Sequence, residues 1–224
     1  AITIIAEQLE KSFAESFHVE GHLMPTTTSI GIAVAPHDGQ RSDLLMKNAD
    51  LALYRAKQEG KGQYHYFEQE MDELARKRRE TEIDLKLAIE QGQFELYYQP
   101  LFNTEQQRIN GFEALIRWHH PERGLVQPID FIPLAEETGL IIQIGEWVIK
   151  EACRQAANWP DHVRVAVNLS PVQFRTKGLQ SILIQALTQS GLSPQRLELE
   201  ITESLLIDNV AETLKSLHSL HAMG

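Results

Sequence analysis

The stretch Gly111-Phe-Glu-Ala-Leu-Ile-Arg-Trp-His-His-Pro-Glu-Arg-Gly124 carries the pattern that decides how this chain folds. Its first half alternates with period two, which is typical of a strand with two different faces. One face is apolar, and the other carries Glu113, Leu115 and Arg117. Pro121 then introduces a turn. Charged side chains are usually solvated, so this stretch alone is compatible with an ordinary edge strand as well as with a functional site.

The composition of the chain excludes several classes of protein. A net charge of −10 over 224 residues argues against a protein that binds nucleic acid polymers. No apolar run approaches the roughly 20 residues of a membrane span, and the first residues lack the basic region of a signal peptide. Cys153 is the only cysteine, which excludes an intramolecular disulfide and a thiolate metal cluster. We therefore expect a soluble cytoplasmic protein, with membrane tethering through a further N-terminal region left open.

The first third of the chain shows helix and strand patterns in alternation. Apolar residues recur every four positions in the first segment, and a β-rich run and a second amphipathic helix follow. Gly21 argues against a helix that would bring His18 and His22 together as a metal pair, so we predict a polar loop there. The predicted elements are a helix over 2–17, a strand over Thr26–Ala35, a helix over Ser42–Gln58 and a strand over Tyr64–Phe67.

Two of these segments contain Ser29-Ile-Gly-Ile-Ala33 and Ala49-Asp-Leu-Ala-Leu-Tyr-Arg-Ala-Lys-Gln-Glu-Gly-Lys61. Together they resemble the second half of a GGDEF domain, the diguanylate cyclase fold. The resemblance implies that Lys57 and Lys61 contact the phosphates of GTP. A structural alternative stays open for both lysines, because positive charge at a helix C-terminus is favourable in itself. The loop that names the family would precede residue 1.

Beyond this region, residues 68–91 are predicted to form a linker helix, since acid-first pairs such as Glu82 and Lys86 recur at the i,i+4 spacing. From Phe94 onward, strand patterns alternate with helix patterns, which indicates a parallel sheet that is either open or closed into a barrel. The predicted strands are Phe94–Gln99, which Pro100 should end, the opening stretch, Val163–Leu169 and Arg196–Thr202. Residues 129–137 are predicted as a loop that enters a helix, and the other predicted helices lie near 143–159, 179–189 and 210–223.

The later strands repeat the polar second face. Asn168 and Glu200 lie near the C-terminal ends of their strands, where α/β barrels and open sheets place their sites. Together with Glu113 they offer hard oxygen ligands, which predicts a site for Mg²⁺ or Mn²⁺. Two structural alternatives stay open: Glu200 could pair with Arg117, and Asn168 could cap the following loop.

Five separated motifs follow one another in this part of the chain: Tyr98-Gln-Pro100, Glu113-Ala-Leu-Ile-Arg-Trp118, Phe131-Ile-Pro-Leu-Ala-Glu136, Asn168-Leu-Ser170 and Glu200-Ile-Thr-Glu-Ser204. In this order they resemble an EAL domain, from about residue 80 to the last residue. The resemblance implies an α/β protein in which a partial GGDEF domain, a nucleotidyl-cyclase-like α/β sandwich, precedes the first half of a variant (β/α)8 barrel. The first strand of that barrel is antiparallel. The implied bounds are 1–67 for the partial GGDEF domain, 68–91 for the linker helix and 92–224 for the partial EAL domain.

The resemblance also implies roles for individual residues. Glu113, Asn168 and Glu200 would ligate a divalent cation, Mg²⁺ or Mn²⁺, in the catalytic centre. Glu203, also assigned to the catalytic residues, would anchor a loop beside the site. The residues that would line the dinucleotide groove are Gln99, Leu115, Arg117, Pro133 and Glu136, with Arg117 on a phosphate.

The implied activity is hydrolysis of cyclic di-GMP to linear pGpG by a cyclic-guanylate-specific phosphodiesterase. The paired aspartates, a lysine and a further glutamate of the family would follow residue 224, so we expect the 224 residues alone not to hydrolyse the dinucleotide. Two alternatives stay open. The protein could be a catalytically inactive cyclic di-GMP receptor, or GTP bound to the GGDEF half could regulate the activity of the EAL half. A homodimer through the EAL domain is a further expectation.

Overall fold

The structure is a computed structural model that describes residues 2–14, 16–19, 22–24, 26–105, 107–176, 178–201 and 210–224. The chain divides into two compact units, Ala1–Glu80 and Thr81–Gly224. The division falls within one helix, α3, which spans Gln69–Gln91 and lies close to the predicted 68–91. Its predicted pair forms, with Lys86 Nζ 2.7 Å from Glu82 Oε1.

The first unit contains two helices and two small sheets ahead of α3. Helix α1 (Ile2–Ala14) is followed by two short antiparallel strands, β1 (Phe17–Val19) and β2 (His22–Met24). Strand β3 (Ile30–Ile32) pairs in parallel with β4 (Tyr64–Tyr66). Helix α2 (Ser42–Gln58) connects these two strands, as a parallel pair requires a crossover.

Two predictions for the first unit are wrong in detail. His18 and His22 do not lie in a loop but in the paired strands β1 and β2, where His18 is opposite Leu23. The strand predicted over Thr26–Ala35 is limited to Ile30–Ile32, because β4 offers a partner to these three positions alone. A β-rich composition indicates propensity, but a ladder extends only where a second strand lies beside the first.

Gly31 allows α2 to pack directly on β3. A Cβ atom at this position would lie 2.0 Å from the carbonyl oxygen of Ala49 and 2.3 Å from the backbone nitrogen of Leu53. Any larger residue would therefore push the helix away from the strand. This close approach is a local physical reason for glycine in the Ser-Ile-Gly-Ile-Ala segment.

The second unit is organised around one mixed sheet with the strand order β5-β6-β8-β9. Strand β7 pairs with the C-terminal end of β6. Strands β5 and β6 are antiparallel, whereas β6, β8 and β9 run parallel to one another. An antiparallel first strand is what the EAL resemblance implies. The strands are β5 (Phe94–Asn103), β6 (Arg108–His120), β7 (Gly124–Val126), β8 (Arg164–Leu169) and β9 (Leu197–Ile201).

The helices of the second unit lie between and after these strands. They are α4 (Pro128–Thr138), α5 (Ile141–Ala156), α6 (Pro171–Phe174), α7 (Leu179–Ser190) and α8 (Val210–His221), with a 3-10 turn at Pro194–Arg196. Within the described ranges, no helix has both the length and the hydropathy needed to cross a membrane.

The prediction that Pro100 ends the first strand of this unit is wrong. Strand β5 continues to Asn103, and Pro100 lies opposite Phe112 in the ladder. Proline has no N–H to donate, but among the described strands β5 pairs only with β6, so the other side of its backbone makes no ladder hydrogen bonds there. The register shifts only after Leu101.

The apolar face of the sheet packs on the helices and forms the core of this unit. Val165 and Val167 of β8 are fully buried, and so are Phe131 of α4 and Ile149 of α5. Phe94, Trp118 and Phe131 form an aromatic cluster with ring centroids 5.6–6.2 Å apart. Burial of this face leaves the opposite face of the same strands for polar side chains.

Candidate active site

Several of the predicted site residues of the second unit lie on the polar face of the sheet. Gln99 of β5 lies directly opposite Glu113 of β6, and Asn168 of β8 lies directly opposite Glu200 of β9. Glu113 in turn lies opposite Ala166, which is two positions before Asn168 and therefore on the same face. Four residues that are far apart in the sequence are thus neighbours on one surface.

A hydrogen bond joins Glu113 to Asn168 across 55 positions of the chain. The Asn168 Nδ2 amide donates to Glu113 Oε1 over 2.6 Å. An amide nitrogen can only donate, whereas an amide oxygen can accept or ligate a cation. This bond therefore turns Asn168 so that Oδ1 is its available ligand atom.

The pKa of the Glu200 carboxyl group is shifted by its surroundings on this face. Partial burial raises its pKa, and the negative charges of Glu113 and Glu198 raise it further. Like charges in a cluster disfavour ionisation of each member, and a cation between them would remove that penalty. Among the described residues, the charges that shift the pKa of Glu200 are therefore negative ones.

The donors on this face fit a hard divalent cation. Two carboxylates and one amide carbonyl are the oxygen ligands that Mg²⁺ and Mn²⁺ prefer. No cluster of three or more His, Cys, Asp and Glu side chains with metal-ligand geometry occurs in the described part of the chain. The fit therefore depends on Asn168 as the third ligand.

Arg117 lies on the same strand face, four positions after Glu113. Its guanidinium lies over the ring of Tyr97, 5.4 Å from the centroid, and its Nη1 donates to the carbonyl oxygen of Ile116 over 2.8 Å. The open alternative that Arg117 pairs with Glu200 is therefore not the arrangement observed. Stacking on Tyr97 holds a positive charge beside Leu115, on the surface where a phosphate is predicted.

Helix α4 carries the remaining predicted groove residues. Pro133 lies inside the helix and Glu136 follows one turn later, on the same side. The carboxylate of Glu136 accepts a hydrogen bond from the hydroxyl of Ser170 over 2.6 Å. Ser170, and not Asn168, is the residue that caps the segment after β8.

Sequence reasoning missed two contributors to this surface, Ser170 and Tyr97. The Ser170-Pro-Val-Gln173 segment has the spacing of a helix capping box, which was the available signal for Ser170. No local signal marks Tyr97, because its contact with Arg117 depends on the pairing of β5 with β6.

The predicted GTP contacts lie in the first unit. Lys57 is in the last turn of α2, and Lys61 follows it with a left-handed φ of 62°. The Lys61 N–H donates to the carbonyl oxygen of Ala56 over 3.2 Å, which ties the turn to the helix end. Both side chains are exposed. The predicted loop anchor Glu203 lies outside the described residues.

A comparison with protein-family models decides the class of the second unit. The model described as "EAL domain" matches residues 82–224, which is more than half of the chain. The chain belongs to the EAL domain family. The model "Diguanylate cyclase, GGDEF domain" matches residues 1–63, which confirms the predicted tandem order.

Curated relatives of this EAL protein share its sequence over nearly the whole chain. The bifunctional diguanylate cyclase/cyclic di-GMP phosphodiesterase MucR of Pseudomonas aeruginosa is 43% identical over 224 residues, which are 98% of this chain and 33% of MucR. The cyclic di-GMP phosphodiesterase PdeR of Escherichia coli is 38% identical over 202 residues, which are 89% of this chain and 30% of PdeR. The chain thus spans about a third of the length of these relatives.

Solved structures confirm the predicted fold class of the EAL part. A PaMucR phosphodiesterase in complex with c-di-GMP has a TM-score of 0.62 and 45% identity, covering 65% of this chain and 60% of that one. The EAL enzyme Bd1971, in its form with cAMP and cyclic di-GMP, has a TM-score of 0.65 and 26% identity, covering 84% of this chain and 50% of that one.

Proposed function

We propose that the protein hydrolyses cyclic di-GMP to linear pGpG as a cyclic-guanylate-specific phosphodiesterase of the EAL type. The observation that carries this proposal is the convergence of Glu113, Asn168 and Glu200 on one face of the sheet. Support also comes from relatives named cyclic di-GMP phosphodiesterases and from a related structure that contains the dinucleotide.

Glu113, Asn168 and Glu200 would hold Mg²⁺ or Mn²⁺ through two carboxylates and the Asn168 amide oxygen. Bound there, the cation would polarise the scissile phosphate and lower the pKa of a ligated water. Within the chain itself, the Asn168–Glu113 hydrogen bond orients two of the three ligands before any ion arrives. Such preorganisation reduces the cost of assembling the site.

The substrate would lie across the face that Gln99, Leu115 and Arg117 share. Arg117, positioned by Tyr97, would bind a phosphate of the dinucleotide. Pro133 and Glu136 would line the groove from α4, and Glu203 would anchor a loop beside it. These assignments place positive charge next to the phosphate and carboxylates next to the cation.

Turnover and binding measured in parallel test this proposal. In the full-length protein, conversion of cyclic di-GMP to pGpG should require Mg²⁺ or Mn²⁺ and stop in EDTA. Binding of the dinucleotide in EDTA should persist, because Arg117 and the groove residues do not depend on the ion. Tight binding without turnover at any concentration of either metal would refute the hydrolase and support the receptor alternative.

We also propose that GTP bound to the GGDEF part regulates the EAL part. The match of residues 1–63 to the cyclase model and the two exposed lysines at one end of α2 support it. The double variant Lys57→Ala plus Lys61→Ala should abolish any effect of GTP on hydrolysis. Lys11→Ala plus Lys47→Ala is a control of equal charge in the same unit. GTP dependence that survives the first double variant would contradict regulation through these lysines.

Three further assignments belong to the same proposal. The domain bounds are 1–67 for the partial GGDEF domain, 68–91 for the linker helix and 92–224 for the partial EAL domain. The protein is located in the cytoplasm. It forms a homodimer through the EAL domain. Sedimentation of the full-length protein with and without cyclic di-GMP tests the dimer, and a monomer under both conditions would contradict it.

A further inference from the structure

Ser170 occupies a junction between the metal-ligand strand and the groove helix. It follows Asn168 by two positions and is the N-cap of α6, whose Val172 N–H donates to its hydroxyl oxygen over 3.2 Å. An ionised carboxylate has no proton to donate, so the Ser170 hydroxyl is the donor in its hydrogen bond with Glu136 Oε1, 2.6 Å away. One hydroxyl group thus serves the β8–α6 turn and helix α4 at once.

The side chain of Gln173 supports the turn that carries Ser170. The Gln173 side chain accepts from the Ser170 N–H over 3.2 Å, which completes the capping box, and Gln173 is only 6% exposed. Helix α5 closes on it at Gly145, where a Cβ atom would lie 1.7 Å from Gln173 Nε2. Gly145 therefore makes room for the buried glutamine, whose hydrogen bond holds the backbone of Ser170.

We infer that Ser170 is a positioning residue for dinucleotide binding, which acts by occupying Glu136 Oε1 and leaving Oε2 as the oxygen that meets cyclic di-GMP. The inference rests on the proposed function. Without the hydroxyl, the Glu136 carboxylate is released to rotate about its last bond, and its hydrogen bond to the ligand is no longer preorganised. The chemistry at the cation does not depend on this oxygen, so binding should weaken more than turnover.

The first test separates binding from turnover in the full-length protein. Ser170→Ala should raise KM about 10-fold, in line with loss of a hydrogen bond to a charged group, and change kcat less than about 3-fold. Ser170→Thr retains the hydroxyl and should return KM to within about 3-fold of the wild type. An unchanged KM in Ser170→Ala, or a Thr variant as defective as the Ala variant, would overturn the inference.

A double-mutant cycle separates positioning from general support of the fold. If Ser170 acts through Glu136, then Ser170→Ala should have no further effect on KM in a Glu136→Ala background. A merely structural serine would multiply the two effects instead, and that result would overturn the inference. Ser190→Ala is the matched control, because its hydroxyl also serves a helix end, where it donates to the Leu187 carbonyl oxygen and accepts from the Leu192 N–H.

Two provisions keep the test decisive. Glycine is tolerated at an N-cap nearly as well as serine, so Ser170→Gly lacks the hydroxyl but should fold if Ser170→Ala does not. If the wild type binds but does not hydrolyse, the hydrolase proposal fails while the same ratios measured as Kd still test Ser170. A wild type that neither binds nor hydrolyses cyclic di-GMP would overturn both.

Discussion

The two ends of the parallel strands β8 and β9 use polar side chains in opposite ways. At the amino end, the Arg196 guanidinium is only 11% exposed and bonds to three backbone carbonyl oxygens, those of Ala156, Trp159 and Val163, at 2.8–3.2 Å. At the carboxyl end, Asn168 and Glu200 lie side by side, and the pKa of Glu200 is raised by burial and by neighbouring negative charge.

The contrast is between a charge that is bonded within the fold and the carboxylates of the proposed cation site. The Arg196 guanidinium donates hydrogen bonds to carbonyl oxygens at the end of α5 and directly before β8, so its positive charge has a structural role. The carboxylates at the other end repel one another, so the fold tolerates a cost there that a cation would remove. In α/β barrels the carboxyl ends of strands carry the activity and the amino ends carry stability, and the proposed site of this protein lies at the carboxyl ends.

The largest expected effect comes from breaking the carboxyl end. Glu113→Gln removes one charge and one carboxylate oxygen from the proposed cation site, and kcat/KM should fall at least about 100-fold, since second-shell changes alone reach that size. Steady-state hydrolysis of cyclic di-GMP measures it. Glu122→Gln, on an exposed turn, loses the same charge and should retain wild-type kcat/KM. Full activity in Glu113→Gln would contradict the proposed site.

Breaking the amino end should affect stability and spare activity. Arg196→Leu leaves three carbonyl oxygens without their donor, which should lower the free energy of unfolding by about 2–3 kcal/mol. All three tryptophans of the chain, at positions 118, 147 and 159, lie in the second unit. Denaturation followed by tryptophan fluorescence therefore reports on the unfolding of that unit. The kcat of the folded variant should match the wild type; a large loss of kcat would show that the ends are not separate.

A smaller effect is expected at the carboxyl end of β6, where charges are paired. Asp84 Oδ2 lies 2.6 Å from Arg123 Nη2 and 3.1 Å from His120 Nε2, and these contacts fix α3 to the β6–β7 turn. Asp84→Asn should lower the free energy of unfolding by about 1 kcal/mol, because the group is partly exposed. The exposed Glu90→Gln on the same helix is the control. An unchanged midpoint in Asp84→Asn would show that the pairing contributes no stability.

The smallest effect concerns the pH dependence of stability through Glu200. Because its pKa is raised in the folded protein, the unfolded chain ionises first, and the free energy of unfolding should fall as the pH rises from the ordinary value of 4.5. Glu200→Gln should lack this part of the decrease in the range that begins at the ordinary value of 4.5 and extends upward. Denaturation curves across that range measure it, and identical slopes for variant and wild type would contradict the raised pKa.

Much of this architecture was predictable because its signals are local. Period-two alternation placed Glu113, Leu115 and Arg117 on one strand face, and the motif order indicated the EAL family and the antiparallel first strand. Helix spans such as α2 and α7 followed from apolar spacing and from glycines that end them. The strand that continues through Pro100 was not predictable, since only the sheet order shows that, among the described strands, β5 pairs only with β6.

The sequence by itself determined which chemistry is available: two carboxylates, an amide and an arginine on strands of one sheet, since side-chain direction follows from a period of two. Only the tertiary structure decided which of these groups meet. The pairing of β6 with β8 brings Asn168 to Glu113, and the packing of α4 beside the β8–α6 turn brings Glu136 to Ser170. Contacts between residues 34 and 55 positions apart depend on register and packing, which no local pattern encodes.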